Sequence, residues 1–465
     1  MSAPFKEAAD VQGNILRGYR KTDVRHLVLE VTDRAAARRW LAACISGRDG
    51  APQITTEAPW GTTKPQTCFN IGLTSEGLRA LRAPSLDEFP REFIEGMSAR
   101  AKKIGDTGPS APETWPAPFN EPKRVHIIAT IYANHKAQLD SVQQHALADG
   151  AGLGLLGPLD GQSFPHDLVH FGYRDNISQP RFEEVPDPKD YEDAQPKAPL
   201  GTVLLGYETN FEGLRWHVPR HVGHNGSFNA FRVLAQDVAG FETYLDTAAT
   251  YLLGHPNVDD LLPHGAEVKI GHRLSRHAAL REVVAANMCG RWRNGVPLAL
   301  SPHTDHPPHK VALNNFDYEG NSGCPYGSHI RRSNPRGGQI VQRVANHSRR
   351  IVRRGMPYGP AYDPAKPDAE ERGLLGSFLG ANLGAQFEAM SCDWLNLGLH
   401  DPRVTGSNDP LVGANEPETS WFDLPLKSGK PIRLRGFRRF VRTRGGAYTF
   451  LPSIAAIRYL GAMTN

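Results

Sequence analysis

The sequence predicts a fold of the α+β or α/β class, in which helices pack against β-sheet. Three apolar β-like runs, at 26–31, 68–74 and 126–132, are each followed by a segment whose apolar residues have helical spacing. The chain has 465 residues, of which 39% are hydrophobic and 22% are charged, values typical of globular proteins. A chain of this length holds units of about 100 to 200 residues. We therefore expect two or more domains, each a sheet covered by helices.

The first helices have recognisable ends. Asp33 is the expected N-cap of DRAAARRWLAACI and Ser75 that of SEGLRALRA, because short polar side chains accept hydrogen bonds from the N–H groups of a first turn. The third helix, NHKAQLDSVQQHALADG, is expected to end near Gly150. The order of strand and then helix thus repeats three times.

A literal GxGxxG pattern follows at Gly152, Gly154 and Gly157. A dinucleotide site needs a strand before these glycines and a helix after them. Here a helical segment precedes them and Pro158 follows. The pattern therefore predicts a glycine-rich strand or turn, not a nucleotide site.

An acidic, proline-rich stretch at 183–199, EEVPDPKDYEDAQPKAP, is typical of a linker. We place the first domain at 1–165 and the second at 166–465, with 166–200 as the connecting segment. In the second domain, GSFNAFRVLAQDVAGFETYL predicts a strand that turns into a helix, and residues 384–397 predict a further helix.

Charge and cysteine content exclude several classes of protein. The 53 basic and 49 acidic residues give a formal net charge of +4, which argues against nucleic acid or an anionic membrane as the main partner. No apolar run reaches 18 residues, and the start lacks the features of a signal peptide. The five cysteines are widely spaced and never form CxxC, which fits a reducing compartment. We expect a cytoplasmic protein with no membrane partner.

Two clusters and one cysteine have both a structural and a chemical interpretation. The segment SPHTDHPPH, from 301 to 309, has metal-ligand chemistry, but its prolines and irregular spacing favour a loop. Six arginines alternate with apolar residues between 433 and 444, which favours a solvated strand face or a contact within a homo-oligomer over nucleic acid binding. Cys324 is expected to be a buried apolar thiol, not a nucleophile or metal ligand.

The stretch CPYGSHIRRSNPR, from 324 to 336, offers a metal ligand. His329 precedes a basic, helix-compatible turn that can fix the direction of its ring. Two other segments supply complementary groups, Asp175 in FGYRDNISQP and Arg353 in IVRRGMPYG. Opposite a haem iron, peroxide chemistry needs a base that moves a proton between the peroxide oxygens and a fixed positive charge that favours O–O cleavage. Each of the three residues, taken alone, also fits a structural role.

Distinctive segments are spread along nearly the whole chain. They are DVQGNILRGY, FPREFIEGMSARAKKIGDTGPSAPETW, FGYRDNISQP, LLGY, NGSFNAFRVLAQD, GRWRNGVPLALSP, NNFDY, CPYGSHIRRSNPR, RRGMPYG and GGAYTFLPSI. In this order they resemble the dye-decolorizing peroxidase family of haem enzymes. The resemblance implies an α+β fold of two ferredoxin-like domains, antiparallel sheets with helices packed on them. It also implies that the haem pocket lies mainly in the second domain.

The same resemblance implies roles at the iron. His329 would be the proximal ligand, Asp175 the distal acid/base of the family's GxxDG motif and Arg353 the distal cation, with Arg354 as the neighbouring possibility. One residue departs from the motif, since Asn176 stands at its last glycine. Asparagine tolerates left-handed backbone better than most residues.

The resemblance also implies a set of residues around the cofactor. Ile177, Ser178 and one of Arg331 or Arg332 are candidate contacts of the haem propionates. Glu388 is the candidate acceptor for the second ring nitrogen of the ligating histidine, which would make the imidazole more basic.

One departure concerns the distal pocket. Gly376 occupies a place that is usually aromatic in the family, so either Leu375 or Phe378 is expected to cap this pocket.

The activity implied is that of a peroxidase with one haem b per chain. It would reduce hydrogen peroxide and oxidise organic donors, dyes or phenols, in one-electron steps. Large donors would pass their electrons through surface tyrosine or tryptophan side chains. A rival function is that of a haem-handling protein, a haem carrier or a deferrochelatase, with little peroxidase turnover.

Overall fold

A computed structural model of the chain describes residues 5–61, 63–186, 193, 195–211, 213–271, 274–318, 323–337, 349–427 and 429–464. Part of the expected linker, 187–192 and 194, therefore lies outside the described residues. The strands are β1 (Asp23–Val31), β2 (Cys68–Leu73), β3 (Ile127–Ala133), β4 (Leu153–Gln162), β5 (Ser227–Gln236), β6 (Val352–Arg353), β7 (Met356–Tyr358), β8 (Gly373–Gly380), β9 (Trp421–Leu424), β10 (Ile432–Arg435) and β11 (Val441–Leu451).

The helices lie between and after these strands. They are α1 (Arg34–Cys44), α2 (Ser75–Ala80), α3 (Arg91–Glu95), α4 (Lys136–Ala146), α5 (Val238–Leu253), α6 (Val258–Leu261), α7 (Arg276–Cys289), α8 (His329–Ser333) and α9 (Ile454–Ala462). Two π-helical segments, Leu383–Glu388 and Met390–Asn396, occupy the place of the helix expected at 384–397. None of the described helices is long and apolar enough to cross a bilayer.

Both halves of the chain have ferredoxin-like topology. In the first half the βαββαβ unit consists of β1, α1, β2, β3, α4 and β4, with α2 and α3 inserted between β2 and β3, and the sheet order is β4-β1-β3-β2. In the second half the order is β11-β5-β8-β6, with β7 also paired to β8. Each half thus places its strands in the order fourth, first, third, second. All the described pairings are antiparallel, which confirms the α+β class and the two ferredoxin-like units.

The two half-sheets meet at a single pair of residues. Phe450 of β11 pairs with Leu73 of β2, and this contact joins the halves into one nine-stranded sheet. The C-terminal helix α9 also packs against α1, where a Cβ at Gly461 would lie 2.8 Å from the Ala42 Cβ. The last strand and helix therefore bind the second half to the first. The proposed boundary between 165 and 166 stays a prediction.

Local sequence signals predicted one of three helix ends at the exact residue and the other two within about four residues. The Asp33 side chain accepts a hydrogen bond from Ala36 N, as expected of an N-cap. The cap of α2 is Thr74 and not Ser75, because the Thr74 hydroxyl accepts from Gly77 N while the Ser75 hydroxyl donates to a carbonyl. Helix α4 ends at Ala146, earlier than expected. The GxGxxG glycines lie at the start of β4, which confirms a glycine-rich strand.

Candidate active site

A cavity of about 380 Å³ lies against the C-terminal half of the sheet. Side chains of a strand alternate between its two faces, so every second residue of neighbouring strands faces the same side. Residues on this face are Arg232, Leu234 and Gln236 of β5, Leu374, Gly376 and Phe378 of β8, and Val441 and Thr443 of β11. The helix α8 and several loops form the remaining wall.

The cavity brings His329 into contact with a carboxylate that the sequence did not reveal. His329 Nδ1 donates a hydrogen bond to Asp409 Oδ2 at 2.9 Å. Asp409 is fully buried, and its Oδ1 accepts the backbone N–H groups of Leu411 and Val412. Burial raises the pKa of Asp409, but His329 and these hydrogen bonds outweigh it and hold the pKa below its usual value. With Nδ1 engaged, Nε2 of His329 is the nitrogen left for a ligand.

Asp175 and Arg353 line the same cavity and form a pair. Arg353 Nη2 lies 3.4 Å from Asp175 Oδ1 and 3.1 Å from the carbonyl oxygen of Ser178, to which it donates. The Gln179 side chain makes two hydrogen bonds of 3.0 Å with the backbone of Arg353. Its Nε2 donates to the Arg353 carbonyl, and its Oε1 accepts from the Arg353 N–H. About two fifths of each charged side chain is exposed. The pair is therefore fixed by the backbone yet accessible to a small molecule.

The turn that carries Asp175 tolerates the asparagine at the motif's last position. Asn176 has φ 59°, in the left-handed region that glycine would occupy. Its side-chain Nδ2 donates to Asp167 Oδ1 at 3.0 Å, and it is not among the residues that line the cavity. The substitution thus keeps the turn without filling the site.

Comparison with known proteins gives a consistent result. A family model described as the DyP dimeric alpha+beta barrel domain matches residues 10–151. A dye-decolorizing peroxidase of Exidia glandulosa is 28% identical over 96% of this chain and 86% of the relative. The dye-decolorizing peroxidase msp1 of Mycetinis scorodonius is 28% identical over 97% and 86%, and the multifunctional dye peroxidase DyP2 of an Amycolatopsis species is 27% identical over 97% and 95%.

Solved structures extend the likeness to the whole fold. A dye-decolorizing peroxidase in complex with 2,6-dimethoxyphenol has a TM-score of 0.80 at 26% identity, covering 98% of this chain and 100% of that one. An ancestral D-type dye decolorizing peroxidase has a TM-score of 0.80 at 28% identity, covering 99% and 100%. The family model, the relatives and the solved structures all indicate the dye-decolorizing peroxidase family. The family implies a haem cofactor.

The cavity of this peroxidase has groups that suit an anionic cofactor. Arg291 and Arg350 line it, and no carboxylate among the described residues pairs with either. Burial and, to a lesser degree, the nearby charge of Arg336 lower the pKa of each to about 10. The Arg350 Nε is buried and has no partner in the described part of the chain. Buried cations of this kind fit the two carboxylates of a haem.

Of the two arginines that follow His329 in α8, one was expected to contact a haem propionate; the structure shows other partners for both, and the contact itself stays a prediction. Arg331 donates to the Cys324 carbonyl at 2.6 Å and stacks on Tyr318 and Tyr326. Neither Arg331 nor Arg332 lines the cavity. At about 100° per residue, the first, second and fifth residues of α8, His329, Ile330 and Ser333, face the cavity, and the third and fourth point away from it.

Arg332 is instead a structural residue. It is almost fully buried and donates to the carbonyl oxygens of Gly327, Trp394 and Ser407 at 2.9 to 3.1 Å. Ile177 and Ser178 do line the cavity, and their contact with a haem stays a prediction.

Glu388 was expected to accept from His329, and this prediction is wrong. Its carboxylate is fully buried but bonds Arg100 at 2.8 and 3.0 Å, Lys103 at 3.1 Å and the Tyr448 hydroxyl at 3.1 Å. Glu388 is the last residue of its π-helical segment; Phe387 before it and Met390, at the start of the next segment, line the cavity, whereas Glu388 does not. The acceptor is Asp409, in a loop with no distinctive motif.

Position in the fold also decides between Leu375 and Phe378 and between Arg353 and Arg354. Phe378 lines the cavity, whereas Leu375 faces the opposite side of β8. Arg354 donates to the carbonyl oxygens of two residues near the N-terminus, Asn14 and Ile15, and does not line the cavity. Phe378 and Arg353 are therefore the members of the two pairs that can reach a ligand there.

The expectation for Cys324 is confirmed. Its thiol is buried, and burial raises its pKa. Within the described residues, no group of three or more His, Cys, Asp or Glu side chains could hold a metal ion, the segment 301–309 included.

Proposed function

We propose that this peroxidase holds one haem b per chain, reduces hydrogen peroxide and oxidises organic donors such as dyes and phenols in one-electron steps. The observation that carries the proposal is that His329, fixed through Nδ1 by the buried Asp409, lines the same cavity as Asp175 and Arg353. The relatives named as dye peroxidases and the neighbour bound to 2,6-dimethoxyphenol support the class of donor.

His329 would hold the iron through Nε2, and Asp409 would keep the ring in one orientation and raise its basicity. Arg291 and Arg350 would bind the propionates, and Ile177 and Ser178 would contact the haem. Bound there, haem supplies the iron that reduces peroxide and accepts electrons from the donor.

Asp175 would move the peroxide proton. Its carboxylate would take a proton from one peroxide oxygen and return it to the other, which would leave as water, and the two electrons that break the O–O bond would come from the haem. Arg353, held 3.4 Å from Asp175, supplies a fixed positive charge where negative charge develops on the departing oxygen. The two hydrogen bonds between Gln179 and the backbone of Arg353 hold the strand β6 next to the segment that carries Asp175.

The proposal includes a cytoplasmic location and self-association. All five cysteines are free thiols, which suits a reducing compartment. The arginine-rich segment 433–444 is the proposed contact within a homo-oligomer. Light scattering on the purified protein measures the second point, and cell fractionation measures the first.

An absorption spectrum taken before and after one equivalent of peroxide tests the proposed peroxidase activity. Wild type is expected to show a haem Soret band that changes within seconds and returns when a phenol is added. His329→Ala should lose haem or turnover, while His303→Ala, at a half-buried histidine outside the cavity, should keep both. A Soret band that peroxide leaves unchanged would indicate a haem-handling protein instead.

A further inference from the structure

The cavity contains a second acidic residue, Asp106, that the proposed peroxide chemistry does not use. It comes from the first half of the chain and is 3% exposed. Its Oδ1 accepts from Arg232 Nη2 and from the Thr443 hydroxyl, both at 2.5 Å. Its Oδ2 is buried and has no hydrogen-bond partner among the described residues. One oxygen of this carboxylate is therefore fully engaged and the other is not.

The loop that carries Asp106 is held firmly against β11. Asp106 N donates to the Ala101 carbonyl at 2.9 Å. Arg439 Nη1 donates to the Thr107 carbonyl at 2.7 Å, and Thr443 N donates to the Ser110 hydroxyl at 3.1 Å. With Oδ1 fixed as well, the carboxylate cannot easily turn Oδ2 toward another protein group.

A buried carboxylate oxygen without a partner is costly, so it favours a ligand that brings a donor. Arg232 balances the charge of Asp106, but Oδ2 can only accept hydrogen bonds. Anionic groups are disfavoured next to it, and an ether offers it no hydrogen. Apolar wall is close by, because Ile104 is in the same loop and the Phe387 ring lies 5.8 Å from the Arg232 guanidinium. An aromatic ring that carries an O–H group matches both features.

We propose that Asp106 is the recognition site for phenolic electron donors inside the cavity, with Oδ2 accepting the phenol O–H. This inference rests on the proposed function and adds to it the residue that selects the donor. Asp106 does not take part in peroxide reduction, which belongs to Asp175 and Arg353.

The same contact gives the donor's proton a destination. A phenol that loses one electron to the oxidised haem also loses its O–H proton and becomes a neutral phenoxyl radical. The proton passes to Asp106 Oδ2 along the hydrogen bond, and the O–H bond is the only bond broken. A second phenol repeats the step after the proton has left, which completes the two electrons that one peroxide requires.

Binding of phenol and of its methyl ether, anisole, tests the proposal without peroxide. Isothermal titration of the haem-loaded protein should show phenol bound at least about tenfold more tightly than anisole, as expected for a hydrogen bond to a charged acceptor. Asp106→Asn should bring this ratio close to one. Glu57→Gln, which neutralises an equally buried carboxylate outside the cavity, should leave the ratio unchanged.

Equal affinities of wild type for phenol and anisole would overturn the proposal, and so would a ratio that Asp106→Asn leaves intact. If Asp106→Asn does not fold because Arg232 is left unpaired, the double variant Asp106→Asn/Arg232→Gln, which removes both charges of the pair, takes its place in the same comparison and should also bring the ratio close to one. Peroxide turnover is measured separately on wild type with a bulky dye. Loss of that turnover counts against the proposed function and not against the Asp106 site.

Discussion

His329 Nδ1 and Asp409 Oδ2 are 2.9 Å apart, although 80 positions separate the two residues in the chain. The imidazole is a quarter exposed on the cavity wall, whereas the carboxylate behind it is fully buried. Because the pKa of Asp409 is held low, the carboxylate stays charged and fixes the tautomer in which Nδ1 carries the proton. Asp409 does not line the cavity, yet it orients the His329 imidazole ring that does.

Replacing Asp409 should weaken the metal site more than replacing Glu388. Asp409→Asn removes the charged acceptor, so we expect haem affinity or turnover to fall roughly 10- to 100-fold. Haem affinity is measured by transfer to apomyoglobin. Glu388→Gln serves as the control, since Glu388 does not contact His329. A larger loss of haem affinity in Glu388→Gln than in Asp409→Asn would instead identify Glu388 as the hydrogen-bond partner of His329.

Asp175→Asn and Arg353→Leu should each slow the reaction with peroxide. Loss of a positioned acid/base or of a fixed charge costs roughly 100- to 10,000-fold in such steps. Stopped-flow absorbance of the Soret band after mixing with peroxide gives the rate directly. Arg354→Leu is the matched control, because Arg354 bonds the carbonyl oxygens of Asn14 and Ile15 and not the cavity. Equal slowing by Arg354→Leu would show that the effect of Arg353 is structural.

Asn176→Gly and Asn176→Ala should separate backbone conformation from side-chain contact. Glycine adopts the φ of 59° freely, so its only loss is the 3.0 Å bond to Asp167. Alanine must adopt left-handed backbone and should cost about 1 to 2 kcal/mol. Urea denaturation measures both variants. If alanine proves as stable as glycine, the left-handed turn is not what Asn176 maintains.

Glu388 should make stability depend on acid pH. Burial raises the pKa of Glu388, but Arg100 and Lys103 outweigh it, so the folded-state pKa lies below the ordinary value of 4.5. A lowered pKa stabilises the fold above the unfolded value, and this stability is lost as pH falls through the folded value. The stability advantage of wild type over Glu388→Gln, roughly 1 to 3 kcal/mol at neutral pH, should shrink between about pH 5 and pH 3. A difference independent of pH would contradict this assignment.

Local sequence pattern was enough to predict β1, β2, β3 and β5 and the helices that follow them, because alternation and capping depend on neighbouring residues. Asp33 shows this directly, since its cap needs only the N–H group three positions on. Thr74 and Ser75 could not be distinguished in the same way, because both are good caps and tertiary contact decides which hydroxyl turns to the helix.

The site was predictable only in part, for a physical reason. His329, Asp175 and Arg353 lie in segments that resemble a known family, and the sheet brings them to one cavity. Asp409 reaches His329 through loop packing, which leaves no periodic trace in sequence. Arg331 is only two positions from His329 in sequence, yet the helix α8 turns its side chain away from the cavity.

Gly376→Ala should destabilise the cavity wall through Phe378. A Cβ at Gly376 would lie 2.6 Å from the Phe378 ring, closer than atoms can approach, so the ring has to move. Overpacking of this kind costs about 1 to 3 kcal/mol. The cost should vanish in the Phe378→Leu background, because the shorter side chain leaves the space above Gly376 free. A double-mutant cycle of unfolding free energies measures this coupling. Additive effects of the two substitutions would show that the Phe378 ring does not depend on the missing side chain at Gly376.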